Sequence, residues 1–244
     1  MSILNIEALN TKSSYIKQPA DYKYLPTIPF RLALLAQSNS GKTVLIINML
    51  KKVYLDLFDD IVIISHSINL DPAWNELRGK IPDENMMDEY DSVRLKEIID
   101  THIRIREMQK KEGKKRLGQL LIILDDIIDN NEIVHSKQDS ILNTLFIRGR
   151  HSGISCIFSS QKFKLSIPRI IRLNCSHYII FRLGQKSERD SILEEFSALV
   201  DMNTLLDIYT DATGEPYSFL YIDRTQHDLN KIFHKKFNQV YSIV

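Results

Sequence analysis

A glycine, a lysine and a hydroxyl residue stand together in one short stretch of the sequence. Residues Ala36 to Thr43 read AQSNSGKT, between the apolar run Leu32 to Leu35 and a run of helical character from Val44 to Leu50. In such a strand-loop-helix unit, backbone N–H groups surround the phosphates of a nucleotide, the lysine offsets their charge and the hydroxyl holds Mg²⁺. The stretch therefore predicts a triphosphate site; an accidental SGKT in a surface turn is the alternative. The residues predicted to bind the nucleotide are Gln37, Ser38, Asn39, Ser40, Gly41, Lys42 and Thr43, with Thr43 also a metal ligand.

The first position of this loop departs from the consensus G-x-x-x-x-G-K-[ST]. Ala36 stands where the first glycine is expected, so the turn must form with a methyl group present. Gly41, Lys42 and Thr43, where contact with phosphate and metal is most demanding, all match. We expect the site to persist, with weakened ATP binding if Ala36 alters the turn.

Two acids follow a strand that reads as buried. The aliphatic run Leu120 to Leu124 ends in Asp125 and Asp126. A carboxylate at the end of a strand beside a phosphate loop holds the hydration shell of Mg²⁺, and a second acid can orient or deprotonate the attacking water. We assign Asp125 to the metal and Asp126 to the water. The alternative is that both acids only cap the strand against solvent.

Gln161 and Arg150 flank the next predicted strand, Ile154 to Phe158. Ligands of an open parallel sheet gather at the carboxyl ends of its strands, where Gln161 can contact both the water and the outer phosphate. Arg150 can reach the nucleotide of a neighbouring subunit and offset charge on the transferred phosphoryl group. Arg148 and Arg182 are reserve candidates for that role. Alternatively, Gln161 is only a polar strand end, and the arginine at a helix carboxyl terminus only complements the helix dipole.

The hydrophobic pattern predicts an α/β fold with a mostly parallel sheet flanked by helices on both faces. The predicted division is an arm over 1–29, an ATPase core over 30–200 and a packed hairpin and helix extension over 201–244. The predicted strand Ile61 to Ile64 separates the loop strand from the aspartate strand, as expected of P-loop ATPases with an inserted strand. A helix from Ser187 to Val200, capped by Ser187, is also predicted. The guanine-reading motif N-K-x-D is absent from the sequence, which favours adenine.

Basic residues cluster at the end of a helix predicted from Val93 to Glu112. A solvated helix end is one interpretation, and contact with a polyanion backbone is the other. The candidate DNA-binding residues are Arg104, Lys110, Lys111, Lys114, Lys115 and Arg116, with Arg106 in the same stretch.

Composition limits the remaining possibilities. The chain of 244 residues is 43% hydrophobic and 26% charged, with a formal net charge of +1, so any basic surface is local. Apolar runs stop well short of the roughly 18 residues of a bilayer span, and no signal-peptide pattern is present, so we expect an intracellular, soluble protein without membrane insertion. Cys156 and Cys175 lie in predicted core segments and indicate reduced thiols.

The motif order AQSNSGKT, LLIILDD, RGRHSGISCIFSSQ and HYIIFRLG resembles the FtsK–HerA superfamily of DNA-pumping ATPases. More narrowly, it is similar to the genome-packaging ATPases of poxviruses, other large DNA viruses and virophages, over about residues 30 to 200. The resemblance implies a RecA-like P-loop NTPase core of the ASCE branch, with Arg150 as the trans-acting arginine and Gln161 as the sensor. Asp126 departs from the glutamate usual in cellular members, so turnover could be slow.

The resemblance implies an ATP- and Mg²⁺-dependent translocase that moves double-stranded DNA into a preformed capsid. Such an enzyme would work as a homo-oligomeric ring, a pentamer or hexamer, beside a capsid vertex or portal protein, in a viral factory of the host cytoplasm and in the virion. Two alternatives stay open: a nucleoside or nucleotide kinase, and an ATP-gated capsid assembly factor with negligible turnover.

Overall fold

Short runs of aliphatic and β-branched residues form one twisted sheet in the computed structural model, which describes residues 24–127, 141–163 and 167–243. Within these ranges the sheet has nine strands in the order β3-β2-β4-β5-β1-β6-β7-β8-β9. The strands are β1 Arg31–Leu35, β2 Asp60–Ser65, β3 Met86–Met87, β4 Leu120–Asp125, β5 Ile154–Ser160, β6 His177–Phe181, β7 Phe219–Asp223, β8 Phe233–Lys235 and β9 Gln239–Val240. Strands β1 to β6 pair in parallel, and β7 to β9 extend the sheet antiparallel beyond β6.

The sheet order corrects one prediction. The strand between β1 and β4 is β5, whereas β2, which contains Ile61 to Ile64, lies on the far side of β4. A parallel crossover has a preferred hand, but it does not fix how many strand positions the chain skips. The chain skips two positions after β1, and β4 and β5 later fill them. An inserted strand still separates the loop strand from the aspartate strand, so the inference about the ATPase branch remains.

Helices cover both faces of the sheet, as predicted. They are α1 Lys42–Met49, α2 Ser92–Lys111, α3 Ile141–Arg148, α4 Arg169–Asn174, α5 Lys186–Glu194 and α6 Met202–Ala212. Along β4, Leu120, Ile122 and Leu124 face the core that also contains side chains of α2 to α6, and Leu121 and Ile123 face the core that contains side chains of α1. This alternation follows from the two-residue period of a strand.

Several helix boundaries differ from the sequence prediction. Helix α1 continues as a π-helical turn, Leu50–Tyr54, beyond the run from Val44 to Leu50 that the sequence predicts as helical. Helix α5 begins at Lys186, so Ser187 lies inside its first turn and is not the cap. Helix α6 lies within the predicted extension over 201–244, for which no helix bounds were predicted; it begins where Asp201 accepts hydrogen bonds from two backbone N–H groups, an arrangement that satisfies otherwise unpaired donors.

The described part of the predicted arm and the predicted extension both pack against the predicted core. Tyr54 donates a hydrogen bond of 2.8 Å to the carbonyl of Pro26, within the predicted arm. Strand β7 of the predicted extension pairs directly with β6. The division into arm, core and extension stays a prediction, and residues 1–23 of the arm lie outside the described ranges.

The two thiols are free and buried, as predicted. Burial raises the pKa of Cys156 to about 12, and it also raises the pKa of Cys175. Among the described residues, no helix combines the length and apolarity needed to cross a bilayer.

Candidate active site

The phosphate loop joins the carboxyl end of β1 to the first turn of α1. Its two positive backbone φ angles are 63° at Asn39 and 86° at Gly41, where the left-handed conformation favours glycine. Ala36 is fully buried, and its N–H donates to the carbonyl of Ser160 at 3.1 Å. The first loop position therefore accommodates a methyl group in the core and does not require the conformational freedom of glycine.

Lys42 lies between Asp125, the predicted metal ligand, and Asp126, the predicted catalytic acid. Its Nζ is 3.2 Å from Oδ1 of Asp125 and 2.9 Å from Oδ2 of Asp126. The Lys42 side chain is only 11% exposed, so these ion pairs are screened less than pairs on an open surface. The phosphate loop and the end of β4 thus meet at one point, as their order in the sequence predicts.

Asp125 is held in a fixed orientation by two serines that sequence reasoning did not assign. Ser65 donates to Oδ2 of Asp125 at 3.0 Å, and Ser159 donates to Oδ1. These residues are register partners across three adjacent strands, Ser65 on β2, Asp125 on β4 and Ser159 on β5. The signal was therefore in the sequence, but it becomes readable only once the sheet order is known.

Gln161 connects the second acid to the phosphate loop. Its Nε2 donates to Oδ2 of Asp126 at 2.8 Å, and its Oε1 accepts a bond of 3.4 Å from the hydroxyl of Ser38. Asp126 has a positive φ of 54°, which is uncommon for a residue with a side chain. The chain therefore leaves β4 through a sharp turn at Asp126, and the Asp126 carboxylate contacts both Lys42 and Gln161.

A cleft of about 1010 Å³ opens along this edge of the sheet. It is lined by Gln37, Ser38, Asn39, Gly41, Lys42, Thr43, Val44, His66, Ser67, Leu70, Asp71, Asp125, Asp126, Gln161, Lys162 and Tyr217. Six of the seven predicted nucleotide-binding residues line it directly, and Ser40 lines an adjoining cavity. Tyr217 and Val44 were not predicted.

The donors in the cleft suit Mg²⁺. Thr43 offers a hydroxyl and Asp125 a buried carboxylate, both hard oxygen ligands of the kind that Mg²⁺ takes beside phosphates and water. In the described part of the chain, no three His, Cys, Asp or Glu side chains group as a metal site.

The three candidate arginines lie in two different places. Arg150 lies in the turn Gly149–Ser152, immediately before β5, with Arg148 at the end of α3. About 23 Å of strand, seven residues at roughly 3.3 Å each, separates this turn from the cleft of the same chain. Arg182 instead follows the carboxyl end of β6 and lines a cavity with Asn39 and Ser40. Of these three arginines, Arg182 is the one that adjoins the phosphate loop of its own chain.

The basic stretch is exposed at the amino edge of the sheet, opposite the cleft. Its six candidate residues are all exposed, although Arg116 pairs with Asp59 at 3.1 Å and Lys114 with Glu112 at 3.0 Å. Arg106 is different: it is buried and donates to the carbonyl of Gly118 at 2.5 Å. Including Arg106 in the polyanion-binding stretch was therefore wrong, because its guanidinium anchors α2 to the start of β4.

A phosphate loop, two acids at the end of a separated strand and a glutamine directly after the inserted strand define a P-loop NTPase of the branch with an extra central strand. The chain belongs to the family described as the poxvirus A32 protein, whose model matches residues 18–223. This membership confirms the predicted resemblance to the packaging ATPases of poxviruses. A comparison with curated proteins finds no match.

Solved structures share the fold at low sequence identity. The genome packaging NTPase B204 from Sulfolobus turreted icosahedral virus 2, in complex with ATP-gammaS, has 16% identity and a TM-score of 0.54, covering 87% of this chain and 96% of that one. The conjugation coupling protein TcpA of pCW3 has 13% identity and a TM-score of 0.54, covering 86% and 67%. The type VII secretion ATPase EccC of Thermomonospora curvata has 14% identity and a TM-score of 0.51, covering 81% and 24%.

Proposed function

We propose that the protein is an ATPase that drives double-stranded DNA into a preformed viral capsid as a ring of five or six copies. The observation that carries the ATPase assignment is Lys42 held between Asp125 and Asp126 at the mouth of the phosphate loop. Membership of the poxvirus family and the packaging role in the name of B204 support the DNA-packaging step. The same role implies a capsid vertex or portal partner, and a viral factory as the place of action.

Nucleotide binding rearranges the charges around Lys42. The loop amides hold the phosphates, and the Lys42 ammonium exchanges carboxylate oxygens for phosphate oxygens. That exchange leaves Oδ2 of Asp126 with the hydrogen bond from Gln161, so this oxygen can accept a second hydrogen bond, and then the proton, from the attacking water. Thr43 and Asp125 would hold Mg²⁺, which when bound offsets charge on the phosphates.

Gln161 reports the state of the nucleotide in this proposal. It spans from Asp126 to Ser38, so it contacts both the group that handles the water and the loop that holds the phosphates. When the outer phosphate is lost, the side-chain amide of Gln161 loses one of its possible hydrogen-bond partners. Because Gln161 follows β5 directly, a change in its contacts can reach the rest of that strand.

Arg150 acts on the nucleotide of a neighbouring copy. It is too far from the cleft of its own chain, and it is exposed in the short turn Gly149–Ser152. In a ring, the amino edge of one subunit can present this guanidinium to the carboxyl edge of the next. The basic stretch Arg104 to Arg116, without Arg106, is then available to DNA phosphates.

The test is ATP hydrolysis by the full chain with and without duplex DNA, together with native mass measurement in the presence of an ATP analogue and DNA. We expect DNA to stimulate hydrolysis, rings of five or six copies, and no activity in Lys42→Ala. Lys52→Ala, which removes an exposed lysine outside the cleft, is the matched control.

Other outcomes identify the alternatives. A phosphorylated nucleoside product would make the protein a kinase. Negligible turnover, with assembly that needs Lys42 but tolerates Asp126→Asn, would make it an assembly factor. Monomers alone under all conditions would contradict the role of Arg150.

A further inference from the structure

Tyr217 occupies an unusual place for a large aromatic residue. It lies in the loop between α6 and β7, has a backbone φ of 58° and is 71% exposed. A bulky residue in this left-handed region is a clear outlier, and such strain persists where the surroundings or the function require it. Little of the ring is buried, so neither backbone preference nor core packing explains a tyrosine here.

The ring lies against the phosphate loop. A methyl group built on Gly41 would lie 2.9 Å from Cδ1 of Tyr217, closer than side-chain carbons approach one another. Gly41 directly precedes Lys42, so Tyr217 borders the part of the loop where phosphates are expected. The glycine therefore serves two purposes, since it adopts a positive φ and it leaves room for the aromatic ring.

Sheet order places Tyr217 on the side of the loop opposite the acids. Asp125 ends β4 and Tyr217 comes just before β7, and these strands lie two positions from β1 in opposite directions. Strand β7 is antiparallel to β6 and pairs Phe219 with Phe181, so its beginning lies at the same edge of the sheet as the cleft. A nucleotide with its outer phosphate towards the acids directs its base towards Tyr217.

The surfaces beside Tyr217 suit a flat, apolar group. Tyr217 lines both the main cleft and an adjoining cavity of about 330 Å³, which it shares with Asn39, Ser40 and Arg182. Val44 follows Thr43 on the first turn of α1, is 55% exposed and lines the same cleft. Tyr217 and Val44 are therefore exposed side chains with apolar surface that line one cleft, and phosphate does not need such a surface.

From this arrangement we infer that Tyr217, with Val44, forms the nucleobase-binding part of the site, and that its ring stacks on the base. The inference rests on the proposed triphosphate site and adds the residue that holds the other end of the ligand. Stacking on an aromatic ring tolerates any base, because every base presents a π-face. Tyr217 therefore supplies affinity for nucleotides over bare polyphosphate rather than a choice among bases.

Binding of ATP and of inorganic tripolyphosphate, measured by calorimetry on the full chain, tests the inference. In Tyr217→Ala we expect the Kd for ATP to rise about tenfold, within the range found for stacked bases, with an unchanged Kd for tripolyphosphate. Tyr217→Phe keeps the ring and should bind like the parent protein. In steady state, Tyr217→Ala should raise KM and leave kcat unchanged, because uniform binding is lost.

The remaining outcomes would contradict either the base-binding role of Tyr217 or the triphosphate site itself. Unchanged ATP affinity in Tyr217→Ala, or equal weakening of both ligands, would show that the ring only braces Gly41. Tyr217→Gly serves as a second variant, because glycine suits a φ of 58° and should keep the fold intact. Lys42→Ala should weaken both ligands; if it weakens neither, the triphosphate site itself is wrong, whatever Tyr217 does.

Discussion

Charged side chains are arranged differently at the two edges of the sheet. At the carboxyl edge, Lys42, Asp125, Asp126 and Gln161 are joined to one another by ion pairs and hydrogen bonds of 2.8 to 3.2 Å. At the amino edge, Arg150 and the basic stretch are exposed to solvent, although Arg116 and Lys114 each form an ion pair with an exposed acid. A network completed within one chain can bind and position a ligand by itself, whereas exposed cations act only when a partner brings negative charge to them.

This difference indicates which functions depend on assembly. Nucleotide binding should need only the carboxyl edge and should survive in an isolated subunit. Fast hydrolysis and DNA binding should need the amino edge, because in the proposed function Arg150 contacts the nucleotide of a neighbouring subunit and the basic stretch contacts DNA. If a change at one edge produced the effect expected of the other, the two edges would not divide the functions in this way.

Among the variants that distinguish the two edges, Arg150→Ala should have the largest effect on hydrolysis. A trans-acting arginine offsets charge on the transferred phosphoryl group, so its loss should lower kcat by about 10³ to 10⁵. ATP binding should be unchanged, because the residue lies far from the cleft of its own chain. Single-turnover kinetics and calorimetry measure the two quantities, and Arg148→Ala, on the same edge, is the matched control.

Mixed assemblies test whether Arg150 acts between subunits. Arg150→Ala and Asp126→Asn should each lose most of their activity alone, but in a mixture some interfaces combine an intact arginine with an intact acid. Activity should therefore reappear on mixing. A mixture that stays inactive, although the subunits co-assemble by native mass, would assign Arg150 to its own chain and remove the difference between the edges.

Asp126→Asn should come next in size. Losing a positioned proton acceptor should reduce kcat by about 10² to 10⁴ while ATP still binds. Asp71→Asn is the control, because Asp71 lines the same cleft and its capping bond to Ala73 can be kept by asparagine. Near-normal hydrolysis in Asp126→Asn would leave the carboxyl edge as a binding site only.

Ser159→Ala and Ser160→Ala form a matched pair of smaller effect. Ser159 donates to Asp125, whereas the hydroxyl of its neighbour Ser160 donates to the carbonyl of Lys162 at 2.7 Å. Removing an outer partner of a metal-binding carboxylate should reduce metal affinity roughly 10- to 100-fold. The Mg²⁺ concentration for half-maximal hydrolysis should rise in Ser159→Ala alone, and equal behaviour of the two variants would contradict the orienting role of Ser159.

Residues that act through sequence-local motifs were predictable, and residues that act through sheet order were not. The phosphate loop, the acid pair and Gln161 each follow a recognisable run, and all of them meet at the carboxyl edge. Ser65 and Ser159 became visible only when β2, β4 and β5 were seen side by side. Tyr217 was not predicted, because no local pattern shows that the loop before an antiparallel strand returns to the phosphate loop. Arg106 was misread for the opposite reason, since charge alone does not reveal burial.

The smallest expected effect concerns the basic stretch, and it tests directly whether the amino edge binds DNA. Replacing Lys114, Lys115 and Arg116 by alanine should make the plot of log affinity for duplex DNA against log salt less steep by about two to three. Binding releases about one counterion for each phosphate contact, and the variant loses up to three such contacts. ATP hydrolysis without DNA should be unchanged, because these residues lie at the edge away from the cleft. The control replaces three exposed lysines outside the stretch, Lys80, Lys96 and Lys186. An unchanged slope in the first variant, or an equal loss in both, would mean that the amino edge does not bind DNA and that its charges only keep the helix end solvated.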